Sequence, residues 1–589
     1  LHRYTFSGGG PHRLAFDAAS SVVDEGALAS DVEVDGNTIE GSVEYQGPYV
    51  GRGRPFTLHF SAVADPAPTS VHTWRDGALS EDTASASGQT AGAILEWDSL
   101  DGPVELTVGI SFQTLEQARN NRANETTGGF DAVRERTRGT WKSRLERIRV
   151  RGGSEEDRTN FYTALYNTYR MPTRLDEGGK YVGLDGDVHE TEHRYFTDLS
   201  LWDTYRTLHP WWIFFDHGAQ RDSLNSLLAM GRDGGHIPRW PAGLSYTSGM
   251  EGDSGAILFA ESAIKGVEDV DYQAAYDLLL KTAFETPPPE ANYSGRDGIE
   301  DFVSLGYIPA DEHSGAASNT LEYSVDDKAL AELAAHLGEP EEPEFRERAT
   351  NYENIYDTET GFFRPKNADG SFVEDFSTLQ FHERSGVFTE GTAWHWRFYA
   401  AHDPGGLVAL FDSKEAFAAE LQTFMEESEL FSGDLTTLYL PDSYYWHTNQ
   451  PSLHTAFLFG AADRVDLLSK WVREVQIYAY NDSPDGLVGN DDGGTLSAWY
   501  VLSALGIYPV TADTRYFVSP PVFPEAEIDL PSGETLTVVA DGASDEVRYI
   551  ESVEVNGEAV SLPYIEHGDL AQGGTLTYEL SDAPSSGSE

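Results

Sequence analysis

SPDGLVGNDDGGTLSAWYVLSALG, residues 483–506, joins a glycine-rich polar loop to a run whose apolar residues recur at helical spacing. The loop presents Asn490, Asp491 and Asp492 immediately before the helix TLSAWYVLSALG. Adjacent carboxylates at a helix start suit either Ca²⁺ ligation or deprotonation of a water. Their spacing does not match an EF-hand, so that reading is rejected.

Upstream, from about Glu155 to Gly506, the same combination repeats. Helical segments of about 12 to 20 residues, among them EEDRTNFYTALYNTYRMP, DSLNSLLAMGR, YQAAYDLLLKTAF, DDKALAELAAHLG, KEAFAAELQTFMEES and DRVDLLSKWVREVQIY, alternate with polar loops rich in Trp, Tyr, His, Asp and Gly. Paired helices with such loops predict an (α/α)6 barrel. A solenoid is disfavoured because no period of about 30 to 45 residues is visible. Before Gln113, the runs RYTF, HRLAFDA, DVEVDG, TIEGSVEYQG, FTLHFSAVAD, AILEWDS and VELTVGISF predict an antiparallel β-sandwich. Residues 115 to 151, rich in Arg and Glu, read as a helical connector. After Pro509, YFVSP, AEIDL, TLTVVAD, YIESVEVNG and TLTYEL return to strand patterning, and the tail DAPSSGSE is expected to fray. The expected organisation is multidomain α+β: a sandwich over 1–125, a connector helix over 126–153, a helical catalytic domain over 154–510 and a β-rich segment over 511–589.

Asp and Glu total 98 against 40 Lys and Arg in 589 residues, a formal charge of −58 spread along the chain. This argues against nucleic acid and anionic membranes as partners. Only 8 of the cationic residues are Lys and 32 are Arg. Self-repulsion at this charge is relieved by molar salt, where the Debye length shrinks to about 3 Å, so the surface reads as halophilic. An ordinary acidic secreted protein is the plainer alternative. The absence of Cys restricts any metal to oxygen or imidazole ligands. No apolar run approaches the roughly 20 residues needed to span a bilayer.

Four segments concentrate polar groups among aromatic ones. In LWDTYRTLHPWW (201–212), Trp202, Asp203 and Arg206 could stack on and hydrogen-bond a sugar, or simply form a buried helix start. In TEGTAWHWRFYAAHD (389–403), Glu390 beside aromatic residues is a candidate general acid, because lost hydration raises a carboxyl pKa; a helix-capping role is the alternative. YYWHTNQPSLH (444–454) supplies His447, Asn449 and Gln450, whose amide oxygens suit Ca²⁺, although an Asn-rich turn explains it equally. Together with the Asp491–Asp492 pair, these suggest hydrolysis by a carboxylic acid on one side of a bond and a carboxylate base on the other.

FYTALYNTYRMP, LWDTYRTLHP, GHIPRW, GMEGDSG, TLEYSVDD, EGTAWHW, NQPSLH, PDGLVGNDDGG, SAWYVLSALGIYPV and YFVSPPVF, in this order, resemble glycoside hydrolase family 92, the calcium-dependent, inverting exo-α-mannosidases. The resemblance implies a sandwich followed by an (α/α)6 domain, with Glu390 as general acid and Asp492 as general base. It implies Ca²⁺ near Asn449, Gln450, Asp491 and Asp492, terminal α-mannosides (1,2-linked ones first) as substrate, and an extracellular or cell-surface location. Trp202, Asp203, Arg206, His447, Asn449 and Gln450 are the expected substrate contacts.

Several positions depart from the family pattern. Gln450 stands where the family usually has Glu, His395 and Trp396 where Gln and Tyr are common, Leu453 where His is common, and Ser254 where His often follows Gly-Asp. The chain opens on LHRYTF, similar to the middle of the family's sandwich, so the usual opening strands and an aromatic residue lent to the pocket are expected to be missing. Two alternatives follow: a catalytically impaired mannan-binding or envelope protein, and another inverting (α/α)6 glycosidase acting on α-glucosides.

Overall fold

The computed structural model describes residues 1–21, 26–46, 55–289, 291, 293–383, 386–432 and 441–584. The extreme tail, 585–589, where fraying is expected, lies outside them. The chain forms two compact units. One comprises residues 1–144, 174–197 and 241–247; the other comprises 145–173, 198–240 and 248–589.

The first unit holds two antiparallel sheets. The six-stranded sheet runs in the order His2–Tyr4, Val104–Ser111, Phe56–Asp65, Thr38–Tyr45, Ala27–Asp35, Ser85–Gly88. The four-stranded sheet runs His12–Asp17, Ala91–Trp97, Ser70–Arg75, Ala78–Ser80. Alternation of buried and exposed residues marks several of the longer strands. In Ala27–Asp35, Ser30, Val32 and Val34 point inward while their neighbours face solvent, and Val32, Val34, Ile39, Phe60, Leu95, Trp97 and Leu106 form one core. The strands Ser70–Arg75, Ala78–Ser80 and Ser85–Gly88 escape a sequence reading because they are short and carry little alternation. Two helices, Leu115–Glu125 and Gly129–Leu145, follow these strands in the chain. The helical reading up to Arg151 stops there: Ile148–Arg151 is a strand, its β-branched residues alternating with Arg, paired antiparallel to Glu525–Asp529. Arg149 meets Glu527 at 2.9 Å and Asp529 at 2.8 Å across that pair.

The second unit is helical. The helices Glu155–Asn167, His217–Gly234, Tyr272–Phe284, Lys414–Glu426, Val465–Tyr478 and Thr495–Ala504 coincide with the periodic segments. In Val465–Tyr478, Leu468, Trp471, Val472 and Val475 are buried at i, i+3, i+4, i+7 spacing, each large side chain contributing about 1.5–3 kcal/mol. Ala316–Leu337 is different: every residue from Ala316 to Asp327 is buried, including Glu322, Asp326 and Asp327. A helix polar on its hidden side lacks the amphipathic stripe, so only its second half, DDKALAELAAHLG, reads as helical in sequence. The helical run expected after Glu390 is only the five-residue helix Ala393–Arg397. A C-terminal sheet, ordered 148–151, 525–529, 535–539, 574–581, 549–555, 558–559, completes this unit. No helix of the described residues is long and apolar enough to cross a membrane.

Candidate active site

Glu390 and Asp492 share an uncommon backbone state, with φ of 47° and 48°. Left-handed backbone is costly for a non-glycine residue and persists only where surrounding contacts enforce it. At Glu390 the backbone N–H donates to the Glu383 carbonyl at 2.6 Å, and its own carbonyl accepts from the Asn449 side-chain amide. Thr389 donates to Glu251 at 2.6 Å and receives the Ser318 hydroxyl at 3.2 Å. The helix start that follows is capped by Thr392, which exchanges hydrogen bonds with His395. Helix capping is therefore done by Thr392, and the Glu390 carboxyl is spared that task.

Asp492 belongs to a turn in which Gly493 and Gly494 also have positive φ, 72° and 106°. Gln450 Nε2 donates to Asp492 Oδ2 at 2.6 Å. Asn449 Oδ1 accepts the Gln450 N–H at 3.0 Å. The Asn449–Gln450 pair thus ties the Glu390 backbone to the Asp492 carboxylate, joining residues about a hundred positions apart in sequence.

The electrostatics agree. Burial pushes the Asp492 carboxyl up to about 7, opposed by the Gln450 hydrogen bond and reinforced by the charges of Asp491 and Glu390. Burial raises Asp203 well above the carboxylate range, and the negative charges of Asp492 and Glu390 act the same way against the Trp240 N–H and Arg206. Trp240 Nε1 lies 3.5 Å from Asp203 Oδ2. Three carboxyls, Asp203, Glu390 and Asp492, therefore occupy one electrostatic neighbourhood.

Other candidates serve elsewhere. Trp202 is fully buried and donates to Glu322 at 2.8 Å, so it offers no face to a sugar. Arg206 donates to the Trp202 carbonyl at 3.0 Å, the Tyr399 hydroxyl at 3.2 Å and Glu322 at 3.1 Å, and is equally enclosed. These two expected substrate contacts instead form a scaffold below Asp203. His447 is buried with one ring nitrogen on the Tyr445 hydroxyl at 2.7 Å and the other on the Tyr480 hydroxyl at 2.8 Å. Both nitrogens are committed, and burial lowers its pKa to about 3. Asp491 holds the following helix: Ser497 donates to its carboxylate through N–H at 2.9 Å and Oγ at 3.0 Å. Glu322 and Trp240 were missed as individual residues although both sit in motifs quoted above; no local signal distinguishes a helix residue that receives three donors from one facing solvent.

Of the four expected calcium ligands, Asp491 and Asn449 have their side-chain oxygens engaged, whereas Asp492 Oδ1 and the Gln450 amide oxygen accept no hydrogen bond from the described residues. These are hard oxygen donors in a buried setting where neighbouring negative charges raise Asp203 and Asp492, a setting that a divalent cation relieves. The donor chemistry fits Ca²⁺.

Comparison with known proteins gives the family. The glycosyl hydrolase family 92 catalytic domain matches residues 117–582, and the family's N-terminal domain matches residues 1–111. The chain belongs to glycoside hydrolase family 92. The N-terminal match covers the two-sheet unit, where a loss of strands was expected. A family GH92 α-mannosidase from Bacteroides thetaiotaomicron, solved with mannoimidazole, superposes with a TM-score of 0.87 at 25% identity, covering 98% of this chain and 79% of its own. A second protein from that organism, described as an inverting family GH92 mannosidase, gives 0.89 at 26%, covering 99% and 80%. An uncharacterized secreted glycosidase of Arthroderma benhamiae is 26% identical over 539 residues, and the alignment covers 84% of this chain and 63% of that relative.

Proposed function

We propose that this chain hydrolyses terminal α-linked mannose, 1,2-linked residues first, by a single displacement with inversion and with bound calcium, on a helical domain of the (α/α)6 kind. The observation that carries the reading is the pairing of Glu390 and Asp492, both in left-handed backbone and both fastened by the Asn449–Gln450 segment. Glu390, as the acid, gives its proton to the leaving glycosidic oxygen. Asp492, as the base, takes one from the attacking water; Gln450 holds one of its oxygens and leaves the other to do so. Asp203, whose carboxyl feels the charges of Asp492 and Glu390, is the proposed partner of a sugar hydroxyl. Asp492 and Gln450 would hold Ca²⁺, which when bound grips sugar hydroxyls and stabilises distortion toward an oxocarbenium-like state. The family relatives described as α-mannosidases support the substrate class. The secreted relative supports an extracellular place of action.

The deciding experiment follows the product anomer from α-1,2-mannobiose by proton NMR, with and without chelator, across a salt series. β-Mannose first, loss of activity in chelator and activity rising with salt are expected, the last from the charge of −58. First release of α-mannose would refute inversion. Full activity in chelator would refute the role of calcium, and intact but bound mannobiose would favour a binding protein.

A further inference from the structure

The segment ending in Asn490–Asp492 has a second polar environment further back along its length. A cavity of about 450 Å³ lies between the helix Glu155–Asn167, with Arg170 just beyond it, and residues 480–489. None of the groups assigned to catalysis lines it. Its size falls within the roughly 300–1,000 Å³ of small-molecule sites.

The walls are pre-formed. Tyr480 pairs with Leu487 in a β-bridge. The Asn481 N–H donates to the Gly486 carbonyl at 3.0 Å, and Asn481 Oδ1 accepts the Ser483 N–H at 3.0 Å. The Tyr480 hydroxyl donates to the Leu496 carbonyl at 2.9 Å, anchoring the segment to the helix Thr495–Ala504. A side chain at position 486 would collide with the Asn481 carbonyl, so glycine there lets the turn close.

Against this rigid frame, three polar groups on the opposite wall have unused hydrogen-bonding capacity. Asn167 is 9% exposed, yet its side-chain amide has no hydrogen bond among the described residues. Asn160 Oδ1 is buried without a hydrogen-bond partner among the described residues. The exposed Arg170 guanidinium makes no side-chain hydrogen bond among the described residues, and its charge acts on the Asp491 carboxylate. Buried polar groups are nearly always satisfied, so the unpartnered Asn160 Oδ1, beside the water-accessible donors of Asn167 and the exposed Arg170 on the same cavity wall, points to a ligand.

The ligand's chemistry follows from the lining. Arg170 shares the cavity with Asp482 and Asp485, so neither a simple anion nor a simple cation finds a field of one sign. Amide, guanidinium and carboxylate groups at the edges, with the partly exposed Tyr166 ring, fit a molecule with hydroxyls round its rim and an apolar face. We propose that this cavity is a second saccharide-binding site taking one neutral sugar ring. Arg170 and Asn167 donate to its hydroxyls, Asn160 Oδ1 accepts from one, and Tyr166 lies against its face. Gly489, three residues before Asp492, shares the lining, so the sugar rests on the segment that leads to the candidate base. This site stands independently of the mannosidase reading.

The test is a calorimetric titration of the intact Glu390→Gln chain with methyl α-mannoside and methyl α-glucoside, with mannose 6-phosphate and glucosamine as charged controls. A saturable event with a neutral sugar is expected, weakened at least tenfold by Arg170→Leu. Ser483→Trp, on the exposed turn at the cavity mouth, should weaken the same event and decides the matter if the Arg170 variant does not fold. Neutral-sugar binding unchanged in folded variants, or absent altogether, would overturn the proposal; so would capture of only a charged control through Arg170. Were the catalytic reading to fail instead, the Arg170-dependent event would persist while a second, Arg170-independent event would be missing.

Discussion

The segments LWDTYR (201–206) and GNDD (489–492) are equally dense in polar chemistry, and the structure uses them in opposite ways. In the first, Trp202 and Arg206 are four residues apart and turn inward together onto Glu322, while only Asp203 joins the carboxyls. In the second, the division falls between adjacent residues: Asp491 is fastened to Ser497, and Asp492 is held by Gln450 with one oxygen left over. The turn after the short helix Leu201–Thr204 explains the first split, since Arg206 folds back onto the Trp202 carbonyl and shares its side while Asp203 does not. A left-handed residue explains the second, because the chain reverses at Asp492, φ 48°, and sends neighbouring side chains apart. Residue type nominates a site, and backbone direction divides its members into those that act and those that hold.

The sharpest way to break this comparison is at the two aspartates. Asp492→Asn should lower kcat by about 10² to 10⁴ for every leaving group, as expected for loss of a general base. Asp491→Asn should cost far less turnover and instead loosen the helix start by about 1 kcal/mol. Steady-state kinetics on mannobiose and an aryl mannoside, paired with urea denaturation, separate them. Equal losses of turnover would erase the distinction drawn here.

In the other segment the largest effect should fall on stability. Arg206→Met leaves Glu322 buried without its cation and with the Trp202 and Tyr399 donors still in place. Removing one partner of such a pair typically costs about 3–5 kcal/mol, read as a lower urea midpoint at unchanged m-value. A loss below about 1 kcal/mol would show that Arg206 is not the support of this region.

Much of the fold was legible because burial imposes a period. The alternation of DVEVDG and the i, i+3, i+4 spacing of DRVDLLSKWVREVQIY are visible before any contact is known. Ala316–Asp327 was not legible, because its hidden carboxylates read as solvent-facing ones until Arg296 and Arg348 are seen to meet Asp327 at 2.6 and 2.7 Å. At the site, Glu390 and Asp492 could be nominated from sequence together with Asn449 and Gln450. That Gln450 grips Asp492, and that His447 has both nitrogens committed to tyrosines, depends on side-chain directions that no spacing rule supplies.

His447 gives a finer probe of the holding class through pH. Burial alone lowers its pKa from the ordinary 6.5 to about 3, with Tyr445 and Tyr480 on its nitrogens and Trp499 against its ring. In the unfolded chain the same ring binds a proton below about 6.5. Between those values the unfolded state holds more protons, so stability from this group is complete above pH 6.5 and is lost as the pH falls towards 3. The slope is at most about 1.4 kcal/mol per pH unit. Asp492, raised to about 7, has the opposite sign, since its folded form takes up a proton first and gains as the pH drops. His447→Gln should therefore flatten the acid limb of a stability–pH curve by about one proton's slope while leaving the Asp492 limb near pH 7 in place. If the acid limb kept its slope, the imidazole would already be charged in the fold, and its two tyrosine contacts would have to be a solvated, working arrangement rather than a structural one.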